Sequence, residues 1–351
     1  MTNEATTLMD YGWSQHFQSQ LDPSEVATLI PARVVAVHRD RVDVACPQFT
    51  GRIASIFSDE EEGQATVGDW LLLDPVSHAA KRLLARKSLI KRRAPGAGRG
   101  VQLIAANVDT LLIVSSCNQD FNKARLERYL ALARESGIVP IVVLTKADLV
   151  DDPGAYTAQA LRLLPGLLVE CLNAHIAEEV ERLAIWCGPG QTVALVGSSG
   201  VGKSTLVNTL TGASVQATAA IREDDAHGRH TTTGRSLHRL DAGGWLLDTP
   251  GMRELQLTDA ESGIEDIFAD ILDLARQCRF ADCGHDSEPG CAVRAAIDKG
   301  ALDAGRVTRF AKLVKEEQRN SEDLRQRRER ERGFGRMIRD VQKRKKETRD
   351  R

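Results

Sequence analysis

The clearest chemical signal in the sequence is the run GSSGVGKS, Gly197 to Ser204, which matches GxxxxGK[ST]. It follows the apolar segment TVALV and opens the helical segment KSTLVNTL, which is the setting that a phosphate-binding loop requires and makes a chance glycine-rich turn the weaker interpretation. In such a loop the backbone amides wrap the phosphates, Lys203 reaches the β- and γ-phosphates as a catalytic cation, and Ser204 ligates Mg²⁺. The predicted nucleotide contacts are Gly197, Ser198, Ser199, Gly200, Val201, Gly202, Lys203, Ser204 and Thr205.

A second motif, TKAD, precedes this loop in the chain and comprises Thr145, Lys146, Ala147 and Asp148. A carboxylate in this position accepts hydrogen bonds from the ring N–H and the amine of guanine, whereas adenine would leave it unpaired at a cost of ~1–3 kcal/mol. We therefore predict that Asp148 determines base specificity. Thr145 replaces the commoner Asn and keeps a hydroxyl, but it loses the reach of the amide. The segment LNA, residues 172–174, offers a weaker candidate, a backbone amide for the guanine oxygen.

A third motif, DTPG, ends the apolar run GWLLDTPG about 45 residues after the phosphate loop. At such a strand end Asp248 is placed to hold Mg²⁺ through water, and the amide of Gly251 is placed to sense the γ-phosphate. The polar stretch between the two motifs, EDDAHGRHTTTGRS, has the composition of a switch loop. Its candidate Mg²⁺ ligands are Thr231, Thr232 and Thr233.

The residue after DTPG is Met252, where Ras-like enzymes carry the Gln that orients the attacking water. An apolar side chain cannot orient water. We therefore hypothesise that intrinsic turnover is slow, and that an outside partner orders the switch loop and brings in His230 as the second catalytic residue.

The segment CRFADCGHDSEPGC places Cys278, Cys283, His285 and Cys291 in a Cx4CxHx5C pattern. Three thiolates and one imidazole within fourteen residues suit tetrahedral Zn²⁺. Because four protein ligands leave no position open for water, the pattern predicts one structural zinc ion rather than a catalytic one. Cysteines packed without metal in a small core are the alternative.

Composition limits the class of protein that presents these motifs. A chain of 351 residues with 42% hydrophobic residues is long enough for two or three domains. No apolar run reaches the ~20 residues that span a bilayer, and the N-terminus lacks a secretory pattern, so we expect a cytoplasmic protein without membrane contact. Seven cysteines in a chain of this size do not suggest a disulfide scaffold. Nothing in the sequence suggests more than a monomer.

The elements that must position the motifs fall into four regions. Five short β-rich segments, the last of which is KRLLARKSLIKR at residues 81–92, favour an OB-fold barrel, although an SH3-like barrel fits the pattern as well. The Gly/Pro-rich segment RAPGAGRG is the predicted linker. After it, apolar runs alternate with helical stretches, which is typical of a doubly wound α/β domain. The predicted bounds are 1–30 for an N-terminal arm, 31–94 for the barrel, 100–260 for the nucleotide domain, and 261–351 for a mainly helical zinc-binding domain with a basic tail.

Positive charge is concentrated in two places. The barrel segment ends in a cluster of seven cations, and residues 312–351 hold 16 Lys/Arg against 9 Asp/Glu, a net +7. Solvated surface is the simple interpretation of such runs, but together they favour contact with RNA phosphates. The barrel cluster consists of Lys81, Arg82, Arg86, Lys87, Lys91, Arg92 and Arg93.

These motifs, in this order, resemble one family. The segments NVDTLLIV, TKAD, GSSGVGKST, GRHTTT, DTPG and the cysteine cluster make the chain similar to the small-subunit-dependent GTPase A family, the YjeQ/YloQ group of circularly permuted GTPases. The resemblance implies an OB-fold, a permuted G domain, a zinc module, and a role in late maturation of the small ribosomal subunit. GTP, GDP, the subunit and its rRNA are the partners that it implies. The permutation also places the barrel and the zinc module near the switch elements.

Two rival functions remain open on the sequence alone. One is an RNA-binding module in which GTP sets affinity and hydrolysis is incidental. The other is a P-loop ATPase or small-molecule kinase in which TKAD is a coincidence.

Overall fold

The computed structural model describes residues 7–56, 62–93, 101–211, 235–248 and 260–320. Several predicted features lie outside these ranges, namely the linker segment 94–100, the switch residues His230, Thr231, Thr232 and Thr233, Gly251, Met252, and the tail from residue 321 onward. No helix in the described ranges is long and apolar enough to cross a lipid bilayer.

The described part of the N-terminal arm, residues 7–30, contains two short helices, α1 (Gln15–Gln18) and α2 (Pro23–Thr28). Helix α2 begins with a capping box, because Asp22 accepts the backbone N–H groups of Ser24 and Glu25 at 3.0 Å. Phe17 is 1% exposed and packs against Trp70 of the barrel. The arm thus covers one side of the barrel.

The barrel is antiparallel and has the predicted OB type. Strand β1 pairs with β2 and, through its first half, with β4, while β3 and β5 extend the two sides. Alternate residues such as Val34, Val42 and Leu71 are fully buried in its interior. The strands are β1 (Ile30–Val37), β2 (Arg41–Ala45), β3 (Thr50–Ala54), β4 (Trp70–Leu73) and β5 (Ala80–Leu83).

The last predicted barrel segment, residues 81–92, is two strands rather than one. Between β5 and β6 (Leu89–Arg93), Arg86 turns inward and donates to both carboxylate oxygens of the buried Asp69, at 2.7 and 2.8 Å. Strand β6 pairs with β7 (Val101–Ala106) in a separate antiparallel hairpin. The predicted linker therefore joins two strands that pair with each other.

Most cations of the barrel cluster are held by carboxylates. Such pairs offset the charge that would otherwise attract phosphate. The pairs are Lys81–Asp74 at 3.9 Å, Arg82–Glu25 at 2.8 Å, Arg86–Asp69 at 2.7 Å, Lys87–Asp109 at 2.9 Å and Lys91–Glu62 at 2.9 Å.

The nucleotide domain is a mixed sheet with helices on its faces. Its strand order is β10-β9-β8-β11-β13-β12, all parallel except β12. The strands are β8 (Thr110–Ser116), β9 (Val139–Thr145), β10 (Leu168–Cys171), β11 (Thr192–Val196), β12 (Arg235–Arg239) and β13 (Trp245–Asp248). The helices are α3 (Lys123–Glu135), α4 (Pro153–Leu161), α5 (Ala177–Val180) and α6 (Lys203–Leu210).

The sheet does not stop at the domain boundary. The last two residues of β1, Ala36 and Val37, pair with Ser236 and Arg235 of β12. The barrel is therefore hydrogen-bonded to the strand that follows the predicted switch loop.

The C-terminal part is helical and packs against α3. Gly263 lies so close to it that an added Cβ would stand 2.1 Å from the carbonyl oxygen of Ala131. The residues between α8 and α9 carry the predicted zinc ligands. The helices are α7 (Glu261–Ile267), α8 (Ala269–Ala275), α9 (Ala292–Asp298) and α10 (304–320).

Candidate nucleotide and metal sites

The phosphate loop connects β11 to α6 and depends on glycine at two points. Gly197 has a φ of 147°, and a Cβ there would stand 2.2 Å from the carbonyl oxygen of Val114. Gly202 has a φ of 90°, a conformation that favours glycine. The first and last glycines of the motif thus set the loop's approach to β8 and its entry into α6.

Lys203 begins α6 and folds back over the loop. Its Nζ donates to the carbonyl oxygen of Gly197 at 2.8 Å and to that of Ser198. The ammonium group therefore lies on the loop, at the N-terminal end of α6, where the helix dipole adds positive potential. The combination suits a phosphate group.

The predicted guanine motif lies directly beside this loop. Thr145 ends β9 and is fully buried, and its Oγ1 lies 2.6 Å from the carbonyl oxygen of Val201 and 3.1 Å from that of Ser115. Its hydroxyl therefore reaches the backbone of the phosphate loop. Lys146 follows with a φ of 58°, and Asp148 is exposed in the short 3-10 helix Ala147–Leu149.

The weaker candidate for a guanine contact, residues 172–174, is hydrogen-bonded to the helix that follows the phosphate loop. The hydroxyl of Thr209 in α6 donates to the carbonyl oxygen of Ala174 at 2.8 Å. The backbone amide of Asn173 donates to Glu179 at 2.8 Å. Residues 172–174 are thus fixed against the helix that the phosphate loop opens.

The structure brings together most of the predicted nucleotide contacts that it describes. Residues 145–148 and 197–205 meet through the bond between Thr145 and Val201. Asp248 ends β13, which pairs with β11, so its backbone lies on the strand next to the phosphate loop. For the five remaining predicted residues, His230, Thr231, Thr232, Thr233 and Gly251, no position is described.

Sequence reasoning missed one neighbour of the loop. Arg125, in the first turn of α3, donates from Nη1 to the hydroxyl oxygen of Ser198. No motif surrounds Arg125, and only the packing of α3 against β8 and β9, beside the phosphate loop, reveals the contact.

The four predicted zinc ligands cluster, with all ligand atoms within 4.8 Å of one another. Nδ1 of His285 lies 3.6 Å from Sγ of Cys278 and 3.5 Å from Sγ of Cys291, and the two sulfurs are 3.9 Å apart. Tetrahedral zinc with ordinary bond lengths requires ~3.5 Å between sulfur and nitrogen and ~3.8 Å between sulfurs. The residues therefore fit a zinc ion.

Backbone hydrogen bonds hold the zinc loop in shape. Glu288 accepts the N–H groups of Gly284, Asp286 and Ser287 at 2.7 to 3.0 Å. Its own backbone amide and these neighbours keep the pKa of Glu288 below its usual value. Sγ of Cys291 accepts the N–H of Arg294 at 3.3 Å and so caps α9. Such partners orient metal ligands.

The sheet order, the phosphate loop and the adjoining TKAD motif in reversed chain order define a circularly permuted P-loop GTPase fold. Two solved structures share this fold over 82% of the chain: YjeQ from Thermotoga maritima, with a TM-score of 0.58 and 24% identity over 98% of its length, and YloQ, described as a circularly permuted GTPase, with 0.56 and 22% over 94%.

Sequence comparison gives the family. The profile described as RsgA GTPase matches residues 83–258. The small ribosomal subunit biogenesis GTPase RsgA of Mesorhizobium japonicum is 54% identical over 92% of this chain and 93% of its own length. RsgA 2 of Vibrio parahaemolyticus, with the same description, is 47% identical over 97% and 94%. The chain belongs to the RsgA GTPase family.

Proposed function

We propose that this chain hydrolyses GTP and acts in the biogenesis of the small ribosomal subunit. The relatives that it matches over nearly their whole length carry that description. The structural observation that supports the proposal most strongly is the 2.6 Å contact between Thr145 and Val201. It brings the TKAD motif into contact with the phosphate loop, which supports a single nucleotide site formed by both.

The residues have distinct roles in this proposal. Asp148 selects guanine, and the aliphatic stem of Lys146 packs on the base. Lys203 and the loop amides hold the β- and γ-phosphates, while Ser204 and Asp248 are the residues that hold Mg²⁺. The metal ion supplies charge that offsets the negative phosphate oxygens.

Turnover in this proposal is slow until the subunit binds. Met252 stands where a water-orienting Gln is found in Ras-like enzymes. His230 then positions the water once the subunit has ordered the predicted switch loop. Hydrolysis returns the chain to its GDP form and releases it from the subunit.

In this proposal the chain contacts the phosphate groups of rRNA rather than its bases. Five of the seven cations in the barrel cluster are engaged with carboxylates, which shifts the expected contact toward the zinc module and the net +7 of residues 312–351. Aromatic residues make up only 4% of the chain, so base stacking has little support. A cytoplasmic monomer with the predicted domain bounds completes the proposal.

The test is GTP turnover with and without purified small ribosomal subunits, repeated across salt concentrations. We expect slow turnover alone, strong stimulation by subunits, and a steep loss of stimulation as salt rises, because phosphate contacts release counterions. Lys203→Ala should abolish turnover in both conditions. His230→Ala should abolish stimulation only. Rapid turnover without subunits, or stimulation that survives in His230→Ala, would contradict the proposal.

A further inference from the structure

Helix α3 begins beside the phosphate loop and presents Arg125 to it. Asn122 caps the helix by accepting the backbone N–H of Arg125 at 3.0 Å, which fixes the backbone of this first turn. From there the guanidinium reaches Ser198 and donates to its hydroxyl oxygen. The side chain is exposed, so its remaining donors are open to a ligand from solution.

Two cations therefore contact the same loop residue. Lys203 donates to the carbonyl oxygen of Ser198, and Arg125 donates to its side chain. Within the described part of the chain, no carboxylate lies within ion-pair distance of Arg125. Arg128 of the same helix differs in this respect, because it forms an ion pair with Glu316.

The described residues engage one hydrogen-bond donor of the Arg125 guanidinium. It has five N–H donors in a planar fork, and one of them bonds Ser198. A fork with free donors beside a phosphate loop matches the oxygens of a phosphate group, which it can bind in bidentate fashion.

Helix α3 is also firmly held. Glu127, two residues further along the helix, is fully buried and accepts hydrogen bonds from Arg306 and Arg309 of α10. An arginine on an anchored helix is pre-organised, and pre-organised charge is what stabilises a transition state most effectively.

We propose that Arg125 is a further catalytic residue that donates to phosphate oxygens of GTP and offsets the charge that develops during hydrolysis; this rests on the GTPase function proposed above. In that reaction a bond forms between a water oxygen and the γ-phosphorus, and the bond to the β–γ bridging oxygen breaks. GDP, inorganic phosphate and a proton leave, and Arg125 keeps its protons throughout.

The test compares Arg125→Ala with Arg134→Ala, which removes the same charge from the exposed far end of the same helix. We expect Arg125→Ala to lower kcat at least ~tenfold while the Kd for GDP changes less than ~threefold. Binding of GDP with fluoroaluminate, which imitates the transferring phosphate, should weaken in parallel with kcat. Arg125→Lys should recover part of the loss, and Arg134→Ala should match the wild type. Thermal melts confirm that each variant is folded.

The same substitution in a Ser198→Ala chain distinguishes a direct contact of Arg125 with the phosphates from a structural role, in which Arg125 only holds the loop through Ser198. If Arg125 acts on the phosphates, Arg125→Ala lowers kcat also in a Ser198→Ala chain, which lacks the bracing hydroxyl. Loss of the effect in that background, or a wild-type kcat in Arg125→Ala, overturns the inference. Absence of GTP turnover in the wild type would instead contradict the proposed function.

Discussion

At the scale of single residues, Thr145 connects the two halves of the proposed nucleotide site, the TKAD motif and the phosphate loop. A hydroxyl carries one proton and donates to one acceptor at a time. The carbonyl oxygen of Val201, at 2.6 Å, is the better partner than that of Ser115, at 3.1 Å. Because Thr145 is fully buried, water cannot replace this bond. Thr145, the first residue of the TKAD motif, therefore also fixes the backbone of the phosphate loop at Val201.

Replacing Thr145 by Val tests this connection. Valine has nearly the same shape but no donor, so the carbonyl oxygen of Val201 would lose its partner. We expect the free energy of unfolding to fall by ~1–3 kcal/mol and the affinity for GDP to fall with it. Denaturant unfolding and nucleotide titration measure the two effects. Thr145→Ser keeps the hydroxyl and serves as control; equal losses in both variants would show that the hydroxyl is not the cause.

The same residues show where prediction from sequence succeeds. The motif GxxxxGK[ST] predicted the loop because its glycines meet needs of the local backbone. Gly197 and Gly202 both have a positive φ, which favours glycine. The hydroxyl bond of Thr145 and the contact of Arg125 with Ser198 join positions 56 and 73 residues apart in the chain. No local pattern encodes such pairs.

At the scale of elements, α3 links the phosphate loop to the C-terminal helices. Two positions in its first half carry the link: Arg125 bonds Ser198, and Glu127, two residues further along, is fully buried. The Glu127 carboxylate accepts from Arg309 at 2.7 and 3.1 Å and from Arg306 at 3.2 Å. A movement of α10 would therefore act on the helix that contacts the phosphate loop.

Glu127→Ala should destabilise this junction strongly. Removing the carboxylate leaves Arg306, whose side chain is 9% exposed, with one acidic partner fewer in a buried setting. We expect a loss of ~3–5 kcal/mol in the free energy of unfolding, the usual cost of removing one member of a buried pair. Glu316→Ala, which removes the partly exposed partner of Arg128, should cost less than ~1 kcal/mol. Denaturant titration of both variants decides, and equal costs would contradict a special role for Glu127.

The zinc module is the second element with a definite expectation. Cys283→Ser should lower the bound zinc from one ion per chain and melt the loop around residues 278–291, because a structural zinc supplies folding free energy to its loop. Metal analysis and hydrogen exchange measure the two effects. Cys171→Ser, outside the cluster, should keep its zinc. A fully loaded Cys283→Ser chain would show that zinc binds elsewhere.

At the scale of the whole molecule, the barrel and nucleotide domain share one sheet. The pairing of β1 with β12 is reinforced by the N-terminal arm, because Trp245 of β13 donates from Nε1 to the carbonyl oxygen of Asp10 at 2.8 Å. Arg33 of β1 is buried between them, donating to the carbonyl oxygen of Tyr11 and to the hydroxyl of Thr192 at 2.6 Å. Burial lowers the pKa of Arg33 to about 10, so it stays charged at neutral pH.

This level of organisation was only partly predictable. The alternation of strands and helices correctly indicated an α/β domain after a β-rich barrel segment. The circular permutation was implied by the order of the motifs and by the family resemblance, and the solved structures of YjeQ and YloQ share that fold. The packing of the arm from residue 7 to residue 30 could not be predicted from the sequence, because the burial of Phe17 depends on Trp70 in a distant strand. The sheet shared by β1 and β12 was not predicted because hydrophobic periodicity identifies strands but not their partners across domains.

The most direct test of the account is nucleotide titration of the wild type and Asp148→Asn with GDP, ADP and xanthosine diphosphate. Xanthine carries a carbonyl where guanine has its amine, so an Asn amide can donate to it while the Asp carboxylate cannot. We predict that the wild type binds GDP more tightly than ADP or xanthosine diphosphate. Asp148→Asn should lower the affinity for GDP at least ~tenfold and raise the affinity for xanthosine diphosphate. Equal binding of GDP and ADP by the wild type, or an unchanged preference in Asp148→Asn, would contradict a single site formed by TKAD and the phosphate loop.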